Sequence, residues 1–267
     1  MLQAIRQFLR PERISTRTPS VPDGERVYAV GDIHGRLDLF EALRDAIDAD
    51  DRGTPSAKTN IILLGDLVDR GPDSAGVIDA VRKWQQDRPV RCILGNHEEM
   101  FLKSFSEIEV LYHFLRHGGR ETIASFGLDR SQFNMLTLED LQEQMQQLVP
   151  GDVRDYLANL DDLIVVGDYA FVHAGVDPEH PLDEQQTSDL RWIRDRFLRH
   201  GEPLSHVIVH GHTISEDVAF AGFRVGIDTG AYRTGRLTAL VLEGTERRII
   251  QAVDTDGAIS IAESRGK

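Results

Sequence analysis

Five short apolar runs in this chain end in the same way, and that repetition limits the available folds more than any other feature. "RVYAV" runs into "GDIHGR" (31–36), "IILL" into "GDLVDRG" (65–71), "RCIL" into "GNHEE" (95–99), "YAFV" into "HAG" (173–175) and "HVIV" into "HGHT" (210–213). The runs are short and rich in β-branched residues, which reads as buried strands. Glycine and aspartate alone would make each ending a turn. Taken together, every ending presents Asp, Asn or His. In open α/β sheets ligands gather outside the carboxyl ends of the strands. Loops spread between residues 31 and 213 are therefore expected to meet at one crevice.

Carboxylate, amide oxygen and imidazole gathered in one place suit a divalent cation such as Mn, Fe or Zn, and the lack of thiolates argues against a structural zinc site. Period-two alternation along the extended strand end puts Asp32 and His34 on the same side. The same spacing pairs His210 with His212, of which only one need be a ligand. Between the strands the spacing predicts helices: Leu37, Phe40, Leu43 and Ile47 share a face, as do Val77, Ile78, Val81 and Trp84. The rhythm is βαβαβ.

The ordered set GDxHG, GDxVDRG, GNHE, HAG and GHT resembles the calcineurin-like metallophosphoesterases, and within them the bacterial phosphoprotein phosphatase branch, over residues 26 to 245. The resemblance implies an α/β fold of the metallophosphoesterase type, a four-layer α-β-β-α sandwich. It implies two divalent metal ions, with manganese the first choice and iron or zinc the others. Metal one takes Asp32, His34 and Asp66, and metal two takes Asp66, Asn96, His173 and His212, so that Asp66 bridges. By the same resemblance Asp69 orients His97, which protonates the leaving oxygen, Arg70 grips the phosphoryl oxygens, and Asn96 also lies against the phosphate. A second phosphate-binding arginine is expected after the HAG loop. "LRWIRDR" offers Arg191, Arg194 and Arg196, and Arg194 is chosen because it follows a tryptophan by two residues. Chemistry agrees with these roles: histidine titrates near neutrality, a carboxylate favours its charged form, and the guanidinium fork fits phosphate.

Two metals can share a bridging water and lower its pKa to near ~7, so direct attack by a bridging hydroxide is expected, without a covalent intermediate. The chain departs from the wider superfamily at Ile214, where a second ligand histidine often stands. It departs from the eukaryotic protein phosphatases around His173 and His212, so their protein specificity is not carried over. The expected substrate is phosphoserine or phosphothreonine in proteins. The alternatives are symmetrical hydrolysis of dinucleoside polyphosphates and, more remotely, a metal-free binding module without catalysis.

The remaining sequence sets boundaries. Residues 1–25 read as a helix, "MLQAIRQFLR", and a Pro/Ser/Thr-rich arm, and not as a signal peptide; residues 26–267 read as the catalytic domain. Glu/Gln/Leu-rich residues from about 99 to 161 predict a helical insertion. After residue 206 consecutive strands are expected, implying a second sheet. With 30 Lys plus Arg against 44 Asp plus Glu the formal charge is -14, which excludes a surface built to track nucleic acid. No stretch approaches a membrane span, and the single Cys92 lies in an apolar run, which fits a cytoplasmic protein. His113, His117, His180, His200 and His206 have no motif around them and are expected to be surface or core residues.

Overall fold

The computed structural model describes residues 18–55 and 57–266. The helix expected over residues 1–10 and the first part of the arm lie outside the described residues. What is described of the arm is tied to the body: Val21 N–H donates to Gly244 O at 3.0 Å and Ser20 N–H to Asp168 at 2.9 Å.

The first sheet has six strands. Strand β1 (Glu25–Val30) pairs in parallel with β2 (Lys58–Leu63), and β2 with β3 (Val90–Cys92). On its other edge β1 pairs antiparallel with β9 (Arg236–Glu243), followed by β10 (Glu246–Thr255) and β11 (Ala258–Arg265). The second sheet runs β4 (Leu163–Val166), β5 (Tyr169–Val172), β6 (Val207–His210), β8 (Arg224–Gly226), β7 (Ala219–Ala221).

Alternation along β1 separates two cores. Tyr28 and Val30 face helices α1 (Leu37–Gly53) and α2 (Ser74–Asp87), whereas Val27 and Ala29, with Leu240 of the neighbouring β9, face Phe171 and Val209 of the second sheet. A third core lies on the far side of the second sheet, where Val172 and Ile208 meet Leu190 and Phe197 of α9 (Thr187–Trp192) and α10 (Asp195–Leu198). The result is the expected four-layer α-β-β-α sandwich. Leu39, Phe40, Leu43 and Ile47 of α1 are buried, as the helical spacing predicted.

Residues 96–158 carry six α-helices, α3 (Asn96–Ser104), α4 (Ile108–Phe114), α5 (Arg120–Ser125), α6 (Arg130–Phe133), α7 (Leu138–Leu148) and α8 (Gly151–Ala158), with a π-helical turn (Leu115–Gly119) joining α4 to α5. The helical region begins inside the GNHE motif, because Asn96 is already the first residue of α3.

The expectation about the C-terminal third needs correcting. The second sheet exists, but β9, β10 and β11 do not belong to it; they extend the first. The pairing partner decides the sheet, and an apolar run such as "LTALVL", buried on both faces, reads identically in either one. Nor are the strands after residue 206 consecutive throughout, since α11 (Ala231–Thr234) makes one turn between β8 and β9, flanked by left-handed Gly230 and Gly235. Among the described residues no helix is long and apolar enough to cross a membrane.

Candidate dinuclear metal centre

The five loops meet, as the strand ends predicted, and backbone hydrogen bonds weld the first two. Ile33 N–H and His34 N–H donate to Asp66 O at 3.1 and 2.8 Å, and Gly35 N–H to Leu67 O at 2.9 Å. The turns are tight enough to force positive φ on His34 (47°), Asp66 (50°), Asp69 (73°), Arg70 (71°) and His212 (60°). Such conformations are strained for side chains larger than glycine and gather at functional sites. At Gly65 (φ 97°) a Cβ would lie 2.7 Å from Gly95 N and 3.0 Å from the His173 ring. Glycine is there because three loops crowd into one corner.

Glu98 holds that corner. Its buried carboxylate accepts backbone N–H groups of Gly95 (2.9 Å), Asp66 (2.9 Å), Leu67 (2.7 Å) and Val68 (3.1 Å). Burial, with Asp66 beside it, nevertheless pushes its pKa up to about 7. This residue was visible in "GNHEE" but nothing in the sequence marked it as the brace of the neighbouring loop.

Two groups of donor atoms share Asp66: His34, Asp66 and His97 on one side, and Asp66, His173 and His212 on the other. The two carboxylate oxygens divide between them. Oδ1 lies 3.4 Å from His173 Nε2, and Oδ2 lies 3.5 Å from His34 Nε2 and 3.9 Å from His97 Nε2. Asn96 joins the second group, with its Oδ1 2.9 Å from His173 Nε2 and 2.8 Å from His212 Nδ1.

The tautomers follow from the outer partners. His34 Nδ1 lies 2.8 Å from Val68 O and His173 Nδ1 2.8 Å from Leu64 O. A carbonyl can only accept, so each Nδ1 carries the hydrogen and each Nε2 of a neutral ring presents a lone pair. Burial keeps the rings neutral, lowering His34 to about 3, His212 to about 2 and His173 below its ordinary value. His173 Nε2 thus points its lone pair at the oxygens of Asn96 and Asp66, acceptor against acceptor. His212 Nε2 is buried with no hydrogen-bond partner. Asp32, Asp66 and Asp228 add three buried carboxylates; burial and mutual repulsion hold Asp32 well above the usual carboxylate range and push Asp228 up to about 6. Each carboxylate accepts one backbone N–H, from His212, His97 and Gly230 respectively, and a buried cluster with so many acceptors for so few donors fits divalent cations.

Asp32 enters in a way the sequence did not predict. The chain has left the extended form by His34, so alternation does not place the pair on one side. The Asp32 carboxylate instead accepts the His212 N–H at 3.0 and 3.2 Å and stands outside both three-residue groups. His210 is turned away, with its ring 5.2 Å from Phe197. That leaves His212 as the histidine of "HGHT" in the cluster.

His97 Nδ1 meets Asp69 Oδ2 at 2.6 Å. Burial opposes charge on this ring, but Asp66 and Asp69 outweigh it and its pKa stands above the ordinary value. Asp69 in turn accepts from Thr122 Oγ at 2.6 Å through its other oxygen, while its own N–H is shared by Ser74 and Thr122 at 3.0 and 2.8 Å. Arg70 donates to His34 Nε2 at 2.7 Å and to His97 Nε2 at 2.9 Å, and lies over the Tyr232 ring at 4.7 Å. Its N–H donates to Gly118 O at 3.0 Å, where left-handed Gly118 (φ 108°) could not accept a Cβ without striking Arg70 at 2.6 Å. The helical region therefore grips the Asp69–Arg70 turn from outside.

A cavity of about 440 Å³ opens on the cluster, with Arg70, His97, Arg194 and His212 in its wall. Of the three candidate arginines only Arg194 lines it. Arg191 pairs with Glu99 and Asp162, and Arg196 with Asp177 and Glu179. His113 and His117, for which the sequence indicated no role, are exposed and also line the cavity. Sequence reasoning missed Asp228, Thr122 and Tyr232 altogether. Asp228 was within reach of the strand-end rule, since "FRVGID" is a sixth apolar run that reaches an Asp, two residues after Gly226. Thr122 and Tyr232 carried no such signal.

The family model for calcineurin-like phosphoesterases matches residues 25–233. The chain is 26% identical over 235 residues to the asymmetrical bis(5'-nucleosyl)-tetraphosphatase PrpE of Oceanobacillus iheyensis, covering 80% of this chain and 87% of that one. It is 28% identical over 244 residues to serine/threonine-protein phosphatase 1 of Salmonella typhimurium, covering 86% and 98%. A solved structure provisionally named a diadenosine tetraphosphatase superposes with a TM-score of 0.58 at 21% identity, over 94% of this chain and 100% of that one, which speaks for the fold alone.

Proposed function

The chain belongs to the calcineurin-like phosphoesterases, and from that premise we propose that it is a two-metal phosphatase acting on phosphate monoesters, first among them phosphoserine and phosphothreonine in proteins. The observation that carries the two-metal reading is the division of Asp66, with Oδ1 turned to His173 and Oδ2 to His34. Asp32, His34 and Asp66 would hold one cation, and Asp66, Asn96, His173 and His212 the other. Manganese is the proposed pair, with iron or zinc as the alternatives. When bound, the two cations neutralise the phosphoryl oxygens and make a water nucleophilic near neutral pH.

The chain's own groups supply the rest. Arg70 presents two guanidinium nitrogens, now spent on His34 and His97, and that fork turns to the phosphoryl oxygens of a substrate, with Arg194 and Asn96 as further contacts. Release of His97 Nε2 by Arg70 frees it to carry the second proton that Asp66 and Asp69 favour. Asp69 fixes Nδ1, so Nε2 is the atom that delivers a proton to the leaving oxygen. A cytoplasmic setting, expected from a single buried thiol, accompanies this reading.

A second reading is hydrolysis of dinucleoside polyphosphates. It is supported by the tetraphosphatase relatives, PrpE aligning over 87% of its length; the Salmonella phosphatase, aligned over 98% of its own, supports the first. The deciding experiment compares kcat/KM of the manganese-reconstituted chain on a phosphoserine and phosphothreonine peptide panel and on diadenosine tetraphosphate. Preference for the peptides supports the first reading; preference for the dinucleotide replaces it with the second.

A further inference from the structure

Trp192 ends α9 with 42% of its surface exposed, yet the ring is not loose. Its indole N–H donates to Glu99 Oε2 at 3.0 Å, and Glu99 is held in turn by Lys103 and by Arg191. The indole is therefore locked by its one polar atom while its apolar surface lines the cavity that opens on Asp66 and His97. Met100 and Val110 add apolar wall to the same space, and Lys103, His113 and Arg194 add cationic or donor groups.

An exposed, oriented tryptophan beside an anion-binding centre has a physical use. Its entropy of ordering is met before any ligand arrives, so a flat ring laid on it gains stacking at little further cost. We propose that Trp192 is a stacking shelf for a flat ring on the leaving-group side of the scissile phosphate, either a nucleobase or an aryl group, and that it determines which phosphoesters this chain prefers. An alkyl leaving group has no ring to offer it. The inference rests on the phosphoester-hydrolase reading of the adjoining centre, and within that reading it favours a ring-bearing phosphoester over a phosphoserine or phosphothreonine peptide.

The chain has two tryptophans, and Trp84 is only 5% exposed, so fluorescence isolates the shelf. In the full chain reconstituted with manganese, adenosine monophosphate and phenyl phosphate serve as the two ring probes and inorganic phosphate as the ringless one. Quenching of the exposed emission by a ring probe but not by inorganic phosphate is expected, and its loss in Trp192→Leu identifies the residue. Quenching by the nucleotide alone assigns the shelf to a base; quenching by phenyl phosphate alone assigns it to an aryl ring. For hydrolysis, Trp192→Leu should raise KM about tenfold on diadenosine tetraphosphate or phenyl phosphate, the scale of one ring stacked on an aromatic side chain. The change should be much smaller on a phosphoserine peptide without aromatic residues, and Trp192→Phe should recover most of the loss. Equal losses on all three substrates, or no ring-dependent quenching, would overturn the shelf. A wild type that hydrolyses none of them while the nucleotide still quenches would sink the hydrolase reading and leave the shelf standing.

Discussion

Strand β1 is buried and polar at both ends, yet the two ends are built on opposite terms. At its start Arg26, fully buried, donates to Glu243 through Nε (2.9 Å) and NH2 (3.1 Å), to Asp51 at 3.0 Å and to Pro55 O at 3.1 Å. One residue pair on, Tyr28 and Arg248 converge on Asp50 at 2.6 to 3.0 Å. Donors there meet acceptors. At the far end, beyond Gly31, Asp32, Asp66 and Asp228 crowd together, His173 turns a lone pair on oxygens, and five non-glycine residues hold positive φ. A matched network stabilises the apo fold; a mismatched one waits for a cation. Within one strand, buried polarity serves stability at one end and function at the other.

The sharpest way to break this comparison is Asp66→Asn. Activity should fall to background and both metals should be lost, as measured by metal analysis. The apo protein should melt close to apo wild type, because relief of crowding at Asp32 and Asp228 offsets the loss of the attraction between Asp66 and the histidines around it. Added manganese should raise the melting temperature of wild type, by about 2.7 kcal/mol of stability at 100-fold excess over Kd, and leave the variant unmoved. An apo variant that melts far below apo wild type would make the site a structural element after all.

Next in size is His97→Asn. His97 stands in the donor group of His34 and Asp66, but its Nδ1 is held by Asp69 and its Nε2 by Arg70, and the six proposed ligands remain, so two metals should be retained. The rate should drop about 10²–10⁴-fold on a phosphoserine peptide, where the departing alkoxide needs a proton, and less on p-nitrophenyl phosphate. Equal losses on both would remove the general-acid role.

Arg26→Met tests the other end. Removing one partner from a buried ionic network should cost about 3 kcal/mol in denaturant unfolding, with kcat/KM per folded molecule unchanged. A matching loss of catalytic rate would show that the two ends are coupled.

The smallest effect concerns the grip of α5 on the Asp69–Arg70 turn. Thr122→Val removes the hydroxyl that meets Asp69 Oδ1, which should cost about 1 kcal/mol of transition-state stabilisation. The loss should be larger for poor leaving groups and restored by Thr122→Ser. A loss of melting temperature with no leaving-group dependence would reduce Thr122 to a structural contact.

Most of the centre was legible because its chemistry is local. Gly65-Asp66, Asn96-His97, His173 and His212 each follow a β-branched run, and backbone direction alone sends those ends to one edge of an α/β sheet. The helical spacing of α1 and α2 was equally plain, since one apolar face against a sheet leaves a 3.6-residue record. What could not be read was anything set by a partner distant in sequence. Whether "LTALVL" joins the first or the second sheet depends on which strand edge stands beside it. The turn at His34 that defeats simple alternation is dictated by hydrogen bonds from residues 33–35 to residues 66 and 67. The same holds for Thr122 behind Asp69, Tyr232 beneath Arg70 and Trp192 over the cavity, ordinary residues until the fold delivers them. Sequence by itself determined which donor side chains stand at the ends of these strands, because residue type and strand periodicity are properties of short segments. Tertiary structure alone decided how those atoms are braced and what else shares their cavity, because bracing depends on distances between segments some 30 to 180 residues apart, such as Glu98 to Asp66 and Asp32 to His212.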